Sequence, residues 1–386
     1  MGDAGREPLR EALALVAPGS ALREGLDRVL QAKRGALVVL GDDPVVLALC
    51  TGGFLLDAEF SPQRLSELAK MDGAIILAAD ASRIARANVH LVPKASVPTS
   101  ETGTRHRTAE RVARSIDVPV ITVSEAMATI AVFRSDAKHT LPPTARVIAR
   151  ASQAIATLQR FKTRVDAGLA TLSTLEVEDT VSVRDVVAVL EPGEMVVRIG
   201  AEIERHLVEL GVDGRLIALQ LEEIGSGMDE SLRLVVRDYA LEHRPARKEA
   251  GRDQKAPLQK ADAKRVGPPG EREGGRVDRA IAALHELSDE ALLDPAKVAG
   301  TLGLGSDALS LDAAVEARGY RLLHRLPRVS DVIIERIVER FGALPRIMQA
   351  SLGDLEKVEG VGAAKARSVK DGLAHMVSAS IFERYQ

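Results

Sequence analysis

Short and nearly continuous apolar runs in the first 140 residues place the strongest constraint on the fold of this chain. Each run is bounded by turn-forming residues, and the runs are Ala36–Leu40, Ala74–Ala79, Val118–Val123 and Ala128–Phe133. Runs of this kind are typical of strands that are buried on both faces. Because helical patterns alternate with them, the sequence predicts an α/β domain with a covered sheet.

The segment before the first run predicts a helix. Ser20 is a suitable N-cap, and Gly35 is expected to end the helix before the strand begins. The apolar positions recur at three- and four-residue steps and share one face, at Leu22, Leu26, Val29 and Leu30.

A different pattern begins near residue 146. Apolar residues recur at helical spacing through residue 173, at Ile148, Ala151, Ile155, Leu158, Phe161, Val165, Leu169 and Leu172. Such a narrow stripe indicates a long amphipathic helix, and helical patterns continue to about Tyr239. We therefore expect an all-α spine over residues 146–318, whose long helix packs in a bundle within the chain or serves as a seam for oligomerisation.

Residues 242–276 interrupt this helical region. The stretch has no aromatic residue, and only Leu258 and Val266 are large and apolar. It cannot bury enough apolar surface to offset the entropy of ordering, so it is predicted to be a disordered linker. Its Lys and Arg residues outnumber its Asp and Glu residues by 10 to 6. Contact with nucleic acid is therefore the alternative to a solvated tether.

The composition excludes several classes of site. Aromatic residues make up 2% of the chain, which argues against a stacking platform for single-stranded nucleic acid. The single cysteine, Cys50, excludes an intramolecular disulfide and a Cys-rich zinc site. No apolar run approaches the ~20 residues of a membrane span, and Met1–Arg10 lacks the apolar stretch of a signal peptide. We expect a cytoplasmic protein.

The C-terminal region, residues 319–386, predicts short helices separated by turns. Gly360-Val361-Gly362 follows one helical pattern and precedes another that carries Lys365 and Arg367. Two glycines let the backbone turn tightly and approach a ligand, and the start of the second helix offers unpaired N–H groups to a phosphate. The pattern favours a helix-hairpin-helix motif that binds the DNA backbone. An αα-hairpin that only packs is the alternative.

A degenerate second copy of this hairpin is predicted upstream. Leu326–Val329 would form its turn, and Asp331–Arg340 its second helix. Paired hairpins suit two neighbouring phosphates of a duplex. The region has 11 Lys and Arg residues against 8 Asp and Glu residues, a modest excess that fits a polyanionic partner.

An Asp-Gly pair stands directly before the apolar run that begins at Ala74. Asp72 could hold a divalent metal at the start of this strand, while Gly73 would leave the backbone bare for a nucleotide. Taken alone, an Asp-Gly pair is more often only a turn.

A second cluster, Gly103–Thr108, follows a polar loop and opens a helical stretch. Its two Arg guanidinium groups, its Thr hydroxyls and the N–H groups of the helix start are suited to bind phosphate. A solvated basic helix start is the alternative. The sequence has no Walker loop and no kinase glycine loop.

Together the two N-terminal motifs resemble the diadenylate cyclase domain, with KMDGA at Lys70–Ala74 and GTRHRTAER at Gly103–Arg111. With the C-terminal hairpin included, the chain from about Leu9 onwards resembles the DNA integrity scanning protein family. This resemblance implies an α/β cyclase domain with a central mixed β-sheet over 1–145. It also implies an all-α spine over 146–318 and a tandem helix-hairpin-helix DNA-binding domain over 319–386.

The resemblance also implies roles for individual residues. Asp72 would hold the catalytic Mg²⁺, with Mn²⁺ as the alternative, and would help to deprotonate the attacking 3′-hydroxyl. Arg105, His106 and Arg107 would share in catalysis. The implied nucleotide contacts are Gly73, Ala74, Leu91, Thr104, Arg105, His106, Arg107, Thr108 and Ser124. The implied DNA contacts are Gly360, Val361, Gly362, Lys365 and Arg367.

The implied reaction joins two ATP molecules into cyclic di-AMP and releases two pyrophosphates. The implied partners are branched DNA, bound without sequence specificity as a checkpoint on synthesis, and further copies of the chain in a homo-octamer. Two other functions stay open: a helix-hairpin-helix DNA-repair enzyme and a non-enzymatic DNA scaffold. The intact Asp72 and Arg105–Arg107 argue against the scaffold, and no evident catalytic domain surrounds the hairpins as a repair enzyme would require.

Overall fold

The computed structural model describes residues 7–240, 273–305 and 307–383. The chain divides into two compact units. The first comprises Met1–Ala156 and Ala201–Glu223, and the second comprises Thr157–Gly200 and Ile224–Gln386.

The first unit is an α/β domain with an eight-stranded sheet. Its strands are β1 (Ala36–Leu40), β2 (Cys50–Thr51), β3 (Phe54–Glu59), β4 (Ala74–Leu77), β5 (Arg83–Leu91), β6 (Val120–Ser124), β7 (Thr129–Arg134) and β8 (Ala137–Thr140). Its helices include α1 (Glu7–Leu15), α2 (Ala21–Gln31), α3 (Pro44–Leu47), α4 (Pro62–Leu68) and α5 (Thr104–Ile116).

The sheet is mixed, as the resemblance implies. Strands β1 and β4 pair in parallel, with Leu37 opposite Ala74, and the other pairs are antiparallel. The strand order is β2-β5-β4-β1-β6-β7-β8, and β3 pairs with β5.

Apolar clusters cover both faces of the sheet because successive strand residues point to opposite sides. Val38 packs in one cluster with Leu26 of α2, and Leu37 packs in the other with Val112 of α5. The four apolar runs predicted as strands correspond to β1, β4, β6 and β7, so these predictions are confirmed. Two further strands were not predicted: β3, which is almost wholly exposed, and β5, which alternates apolar residues with Arg and other polar residues.

Helix α2 begins as predicted but ends earlier. The side chain of Ser20 accepts a hydrogen bond from the Arg23 N–H at 3.1 Å, which confirms the N-cap. The helix ends at Gln31, and Lys33 takes the left-handed conformation with φ 52°. The prediction that Gly35 ends this helix is therefore wrong, because the chain turns two residues before it.

The regular structure of the second unit is helical. Helix α6 (Thr144–Glu178) leads from the first unit into the second, and α7 (Val183–Leu210) leads back to the first, which also contains most of α8 (Arg215–Gly225). Helix α9 (Met228–Tyr239) lies in the second unit. The later helices are α10 (Glu273–Glu286), α11 (Asp289–Leu292), α12 (Pro295–Thr301), α13 (Tyr320–His324), α14 (Asp331–Phe341), α15 (Leu344–Gln349), α16 (Leu352–Glu356) and α17 (Ala363–Glu383).

Two expectations about this helical region need correction. The apolar stripe of α6 is buried within the single chain, with exposures of 5% or less at Ala151, Ile155, Leu158, Val165 and Leu172. Because the chain already covers these side chains, they are not a free seam for another chain. The predicted linker lies outside the described residues over 242–272, and its last four residues, 273–276, begin α10.

Candidate functional site

Asp72 lies in the turn between α4 and β4, and its side chain is 99% exposed. The side-chain amide of Asn88, on β5, donates a hydrogen bond to the Asp72 backbone carbonyl at 2.6 Å. Gly73 adopts φ +96°, and a Cβ there would lie 2.9 Å from backbone atoms of Asn88 and Val89. The close approach of β5 therefore requires this glycine. It also fixes the turn that presents the Asp72 carboxylate to solvent.

The second predicted cluster forms the start of α5. Gly103 is its N-cap, with φ +84° and no side-chain hydrogen bond to the helix end. Thr104, Arg105 and Arg107 are exposed, and Thr108 is half-buried. The first N–H groups of α5 and two guanidinium groups thus share one exposed helix end, which suits an anion.

The fold brings the two predicted motifs together. An Nη2 atom of Arg105 lies 3.5 Å from an Asp72 carboxylate oxygen, although the residues are on different elements. The Arg105 side chain is 43% exposed, so both charged groups remain open to a ligand. This juxtaposition is the centre of the candidate nucleotide site.

His106 lies beside this centre and is partly buried. Its ring packs edge-on against Phe133, with the ring centroids 6.4 Å apart. Burial is the main cause that lowers the pKa of His106; Glu101 opposes this, and Lys138 and Arg105 add to it. Burial therefore favours the neutral imidazole, which can offer a hydrogen bond.

Glu110, on α5, holds the loop that precedes the phosphate-binding cluster. Its carboxylate accepts hydrogen bonds from the Thr99 hydroxyl and from the Ser100 N–H, the latter at 3.0 Å. Burial raises the pKa of Glu110, but these hydrogen bonds outweigh burial, and the net shift is downward. Neither role, that of Glu110 or that of Asn88, could be predicted from the sequence, because the loop contact and the turn contact follow no local pattern.

Other predicted nucleotide contacts are more enclosed. Leu91 is 5% exposed and packs in a core cluster, and Ala74 is 1% exposed within β4. Ser124 ends β6 with 8% exposure, and its hydroxyl accepts a hydrogen bond from the Met127 N–H at 3.3 Å. Cys50 is half-buried beside the same cluster, and burial raises the pKa of its thiol, which agrees with a packing role.

Mg²⁺ fits the chemistry of this site only with help from substrate. Within residues 7–240, 273–305 and 307–383, no group of three or more His, Cys, Asp or Glu side chains is arranged to hold a metal. Mg²⁺ is commonly bound through one or two carboxylates together with substrate phosphates. The exposed Asp72 carboxylate beside a phosphate-binding helix end is suited to that mode.

The C-terminal region contains two hairpins of the same backbone form. In one, α13 leads through a turn to α14, and in the other α16 leads through a turn to α17. The same turn position has a left-handed backbone in both, with φ +67° at Arg328 and +85° at Gly360. The residues two positions earlier, Leu326 and Val358, are each 4% exposed. A helical hairpin with a similar turn therefore lies at the predicted upstream position, and its identity as a second helix-hairpin-helix motif stays a prediction.

The second hairpin leaves open space beside Gly362. Apart from Gly362 and its chain neighbours, no atom of the described residues lies within 4 Å of the position where its Cβ would stand. The Lys365 ammonium donates to the Gly360 carbonyl at 3.2 Å, and the Arg367 side chain is exposed. Val361 is 3% exposed, so it anchors the turn in the core and leaves only its backbone for a ligand.

Two family models match the chain in succession. The model described as "DisA bacterial checkpoint controller nucleotide-binding" matches residues 23–138, and "DisA bacterial checkpoint controller linker region" matches 141–266. The protein named "DNA integrity scanning protein DisA" from Streptomyces coelicolor is 46% identical over 385 residues, which are 100% of this chain and 96% of that protein. The chain belongs to the DNA integrity scanning protein family.

Other members of the DNA integrity scanning protein family are equally similar. The relative from Kineococcus radiotolerans is 48% identical over 98% of each chain, and the one from Frankia alni is 45% identical over 100% of this chain and 99% of its own. Membership in this family and the match to its nucleotide-binding model confirm the predicted enzyme class. The chain is a diadenylate cyclase and hence a nucleotidyltransferase.

Solved structures match a smaller part of this family member. The structure named "DacA from Staphylococcus aureus" is 23% identical, with a TM-score of 0.27, and the match covers 34% of this chain and 86% of that one. A structure described as a hypothetical membrane spanning protein from Bacillus cereus is 24% identical, with a TM-score of 0.29. That match covers 32% of this chain and 62% of the other. Among the described residues of the present chain, no helix combines the length and the apolar character that crossing a membrane requires.

Proposed function

We propose that this enzyme condenses two ATP molecules into cyclic di-AMP and releases two pyrophosphates. The observation that carries the proposal is the 3.5 Å approach of the Arg105 guanidinium to the Asp72 carboxylate, beside the uncapped start of α5. An anionic group for a metal and a cationic end for phosphates lie side by side. Phosphoryl transfer needs this kind of positioning and charge neutralisation more than a strong base.

In each of the two steps, a 3′-hydroxyl oxygen of one nucleotide attacks the α-phosphorus of the other. A new P–O bond forms as the bond from the α-phosphorus to the bridging oxygen breaks, and pyrophosphate departs. Asp72 is assigned to accept the proton of the attacking hydroxyl. When Mg²⁺ or Mn²⁺ is bound by Asp72 and the phosphates, it would neutralise part of the phosphate charge.

The phosphates are assigned to the start of α5. Arg105 and Arg107 supply guanidinium donors, Thr104 and Thr108 supply hydroxyl groups, and the free N–H groups of the first turn complete the anion site. Neutral His106 contributes a hydrogen bond. Gly73 and Ala74 place backbone beside the nucleotide, and Ser124 and the small exposed part of Leu91 are assigned to its remaining surface.

The C-terminal hairpins are proposed to be helix-hairpin-helix motifs that bind the DNA backbone, branched DNA included, without reading its sequence. The open space beside Gly362 supports this proposal, as do the exposed Arg367 and the Lys365 beside the turn. Contacts to phosphate position a protein on DNA but carry no sequence information. Bound DNA would regulate cyclic di-AMP synthesis as an integrity checkpoint in the cytoplasm.

The assembly is proposed to be a homo-octamer built from two-fold pairs. The chain has one Asp72 turn and one Arg105–Arg107 cluster, which suffice for one ATP. The product has two equivalent halves, and a two-fold contact between identical chains provides matching symmetry.

Incubation with ATP and Mg²⁺ tests the enzymatic proposal. We expect chromatography to show cyclic di-AMP, with two pyrophosphates for each product molecule, and we expect a chelator to stop the reaction. A protein that binds DNA but gives no cyclic product would be a scaffold. Strand cleavage or base removal in a DNA substrate, without cyclic di-AMP, would indicate a repair enzyme.

A further inference from the structure

Gly35 occupies a buried position immediately before β1, and its conformation does not explain why it is a glycine. Helix α2 has already ended at Gln31, and the left-handed residue after it is Lys33. The φ angle of Gly35 is not positive, so other residues could adopt its backbone conformation. Some other constraint must therefore act on the missing side chain.

The space beside Gly35 is filled by the guanidinium group of Arg105. A Cβ on Gly35 would lie 2.3 Å from Nη1 of Arg105 and 3.0 Å from its Cζ. The next atom is the Val123 backbone carbonyl oxygen at 3.2 Å, a tight contact that requires a shift of a few tenths of an ångström. A side chain at this position would thus displace Arg105 before it disturbed the sheet.

The same guanidinium group faces Asp72 on another side, with Nη2 at 3.5 Å from the carboxylate. Its planar fork is therefore held between the bare backbone of Gly35 and the Asp72 carboxylate. A guanidinium that is held in place before the ligand arrives loses less freedom on binding phosphate. Displacement by about 1 Å at such a group can cost on the order of 100-fold in rate.

We propose that Gly35 is a positioning residue for the cyclase reaction, which it serves by leaving the space in which the Arg105 guanidinium is directed at the ATP phosphates. The inference rests on the proposed phosphate-binding role of Arg105. It predicts an unusual combination for Gly35→Ala: a small effect on stability, because the displaced atoms are the far end of a flexible side chain, and a large effect on nucleotide binding.

A double-mutant cycle of Gly35→Ala and Arg105→Ala tests this proposal in the full-length enzyme. In the presence of Arg105, we expect Gly35→Ala to weaken binding of a non-hydrolysable ATP analogue and to lower kcat/KM by about tenfold or more. In the Arg105→Ala background there is no guanidinium to displace, so Gly35→Ala should change the analogue affinity by less than about twofold. Gly225→Ala is the matched control, since no atom of the described residues outside its own helix backbone and chain neighbours lies within 4 Å of its Cβ position.

Thermal unfolding of the four chains separates positioning from folding. The inference is overturned if the Gly35→Ala protein unfolds and the added Arg105→Ala substitution does not restore folding. It is also overturned if Gly35→Ala lowers affinity equally in both backgrounds. In either case the added methyl group clashes with the Val123 carbonyl rather than with Arg105. Wild-type affinity and activity in Gly35→Ala would also overturn the inference. If the Arg105→Ala protein keeps full affinity and activity, the proposed phosphate-binding role of Arg105 fails as well. If Arg105→Ala is impaired and Gly35→Ala is normal, only the inference about Gly35 is rejected.

Discussion

Arg321 and Glu176 form a buried, two-point ion pair between α13 and the end of α6. Their contacts are 3.1 Å from Nε and 2.5 Å from Nη2, and the two side chains are 6% and 1% exposed. The Tyr239 hydroxyl donates to the same carboxylate at 2.7 Å, and Arg321 also donates to the Ser173 hydroxyl at 3.0 Å. This buried network attaches the first C-terminal hairpin to the long helix within the second unit.

Replacement of Arg321 should destabilise the second unit strongly. In Arg321→Met the Glu176 carboxylate stays buried without its cation, so we expect a loss of about 3–5 kcal/mol in the free energy of unfolding. Denaturant titration measures this loss. The control is Arg184→Met, which removes an ion pair to Asp312 whose side chains are 55% and 73% exposed, and it should cost at most about 1 kcal/mol. Equal losses in the two variants would contradict the buried role of Arg321.

Asp238 should make stability depend on pH near neutrality. Burial, together with the neighbouring Glu176, raises the pKa of Asp238 to about 7, against hydrogen bonds from the N–H groups of Tyr320 and Arg321. Because the folded-state pKa is above the unfolded value, its stabilising contribution is full below about pH 4 and is lost as the pH rises through about 7.

Asp238→Asn removes this titration and provides the comparison. The free energy of unfolding of the native chain, minus that of Asp238→Asn, should decrease between about pH 5 and about pH 8. Asp229→Asn, at an exposed position of α9, should leave the native pH dependence in place. A difference that stays constant with pH would mean that the folded-state pKa of Asp238 is not raised.

Asp72→Asn should abolish most of the cyclase activity without unfolding the protein. The substitution removes the charge that would hold the metal, and we expect turnover to fall by at least about 100-fold, a typical scale for loss of a key electrostatic group. The fold should persist because the side chain is 99% exposed. Glu222→Gln, at another exposed carboxylate, is the control. Near-normal cyclic di-AMP production by Asp72→Asn would refute the assignment.

Gly362→Leu should weaken DNA binding to the same extent for every sequence. Gly362 has open space around it, so the larger side chain would obstruct a phosphate and not the fold. The expected loss of affinity is about tenfold or more, because hydrogen bonds to charged groups are worth about 1.5–3 kcal/mol. Native affinity should also fall steeply with salt.

Gly353→Leu is the matched control on the other side of this hairpin, where the nearest side-chain atom is 3.9 Å from the Cβ position. It should bind DNA normally in the same mobility-shift assay. Unchanged DNA affinity in Gly362→Leu would move the binding surface elsewhere, with the basic stretch 242–276 as the first place to examine.

The active site should require two chains. In an equimolar mixture of native and Asp72→Asn chains after subunit exchange, only native pairs would be fully active. We therefore expect about a quarter of the native activity if pairing is random, rather than about half for independent sites. Specific activity should also fall on dilution once the assembly dissociates. A strictly proportional loss, together with an active monomer, would contradict the shared site.

Local patterns in the sequence account for much of the fold. The buried strands could be predicted because each is a short apolar run, and α6 because its apolar residues recur at helical spacing. Strand β5 is not an apolar run, but its polar and apolar residues alternate from Arg86 to Leu91, a pattern typical of a half-buried strand, so this spacing was the signal that could have predicted it. The end of α2 was misplaced because Lys33, a residue that rarely takes φ above zero, adopts the turn conformation instead of Gly35.

The sequence by itself determined the chemistry of this protein: the Asp72 turn, the Arg105–Arg107 cluster and the Gly360–Gly362 hairpin are local motifs whose residue types already suit a metal, phosphates and a DNA backbone. Only the tertiary structure decided which residues support them. Asn88 holds the Asp72 turn, Glu110 holds the loop before α5, and Arg321 meets Glu176 from 145 positions away. Such contacts depend on how separate elements pack, and the spacing of residues along the chain does not reveal them.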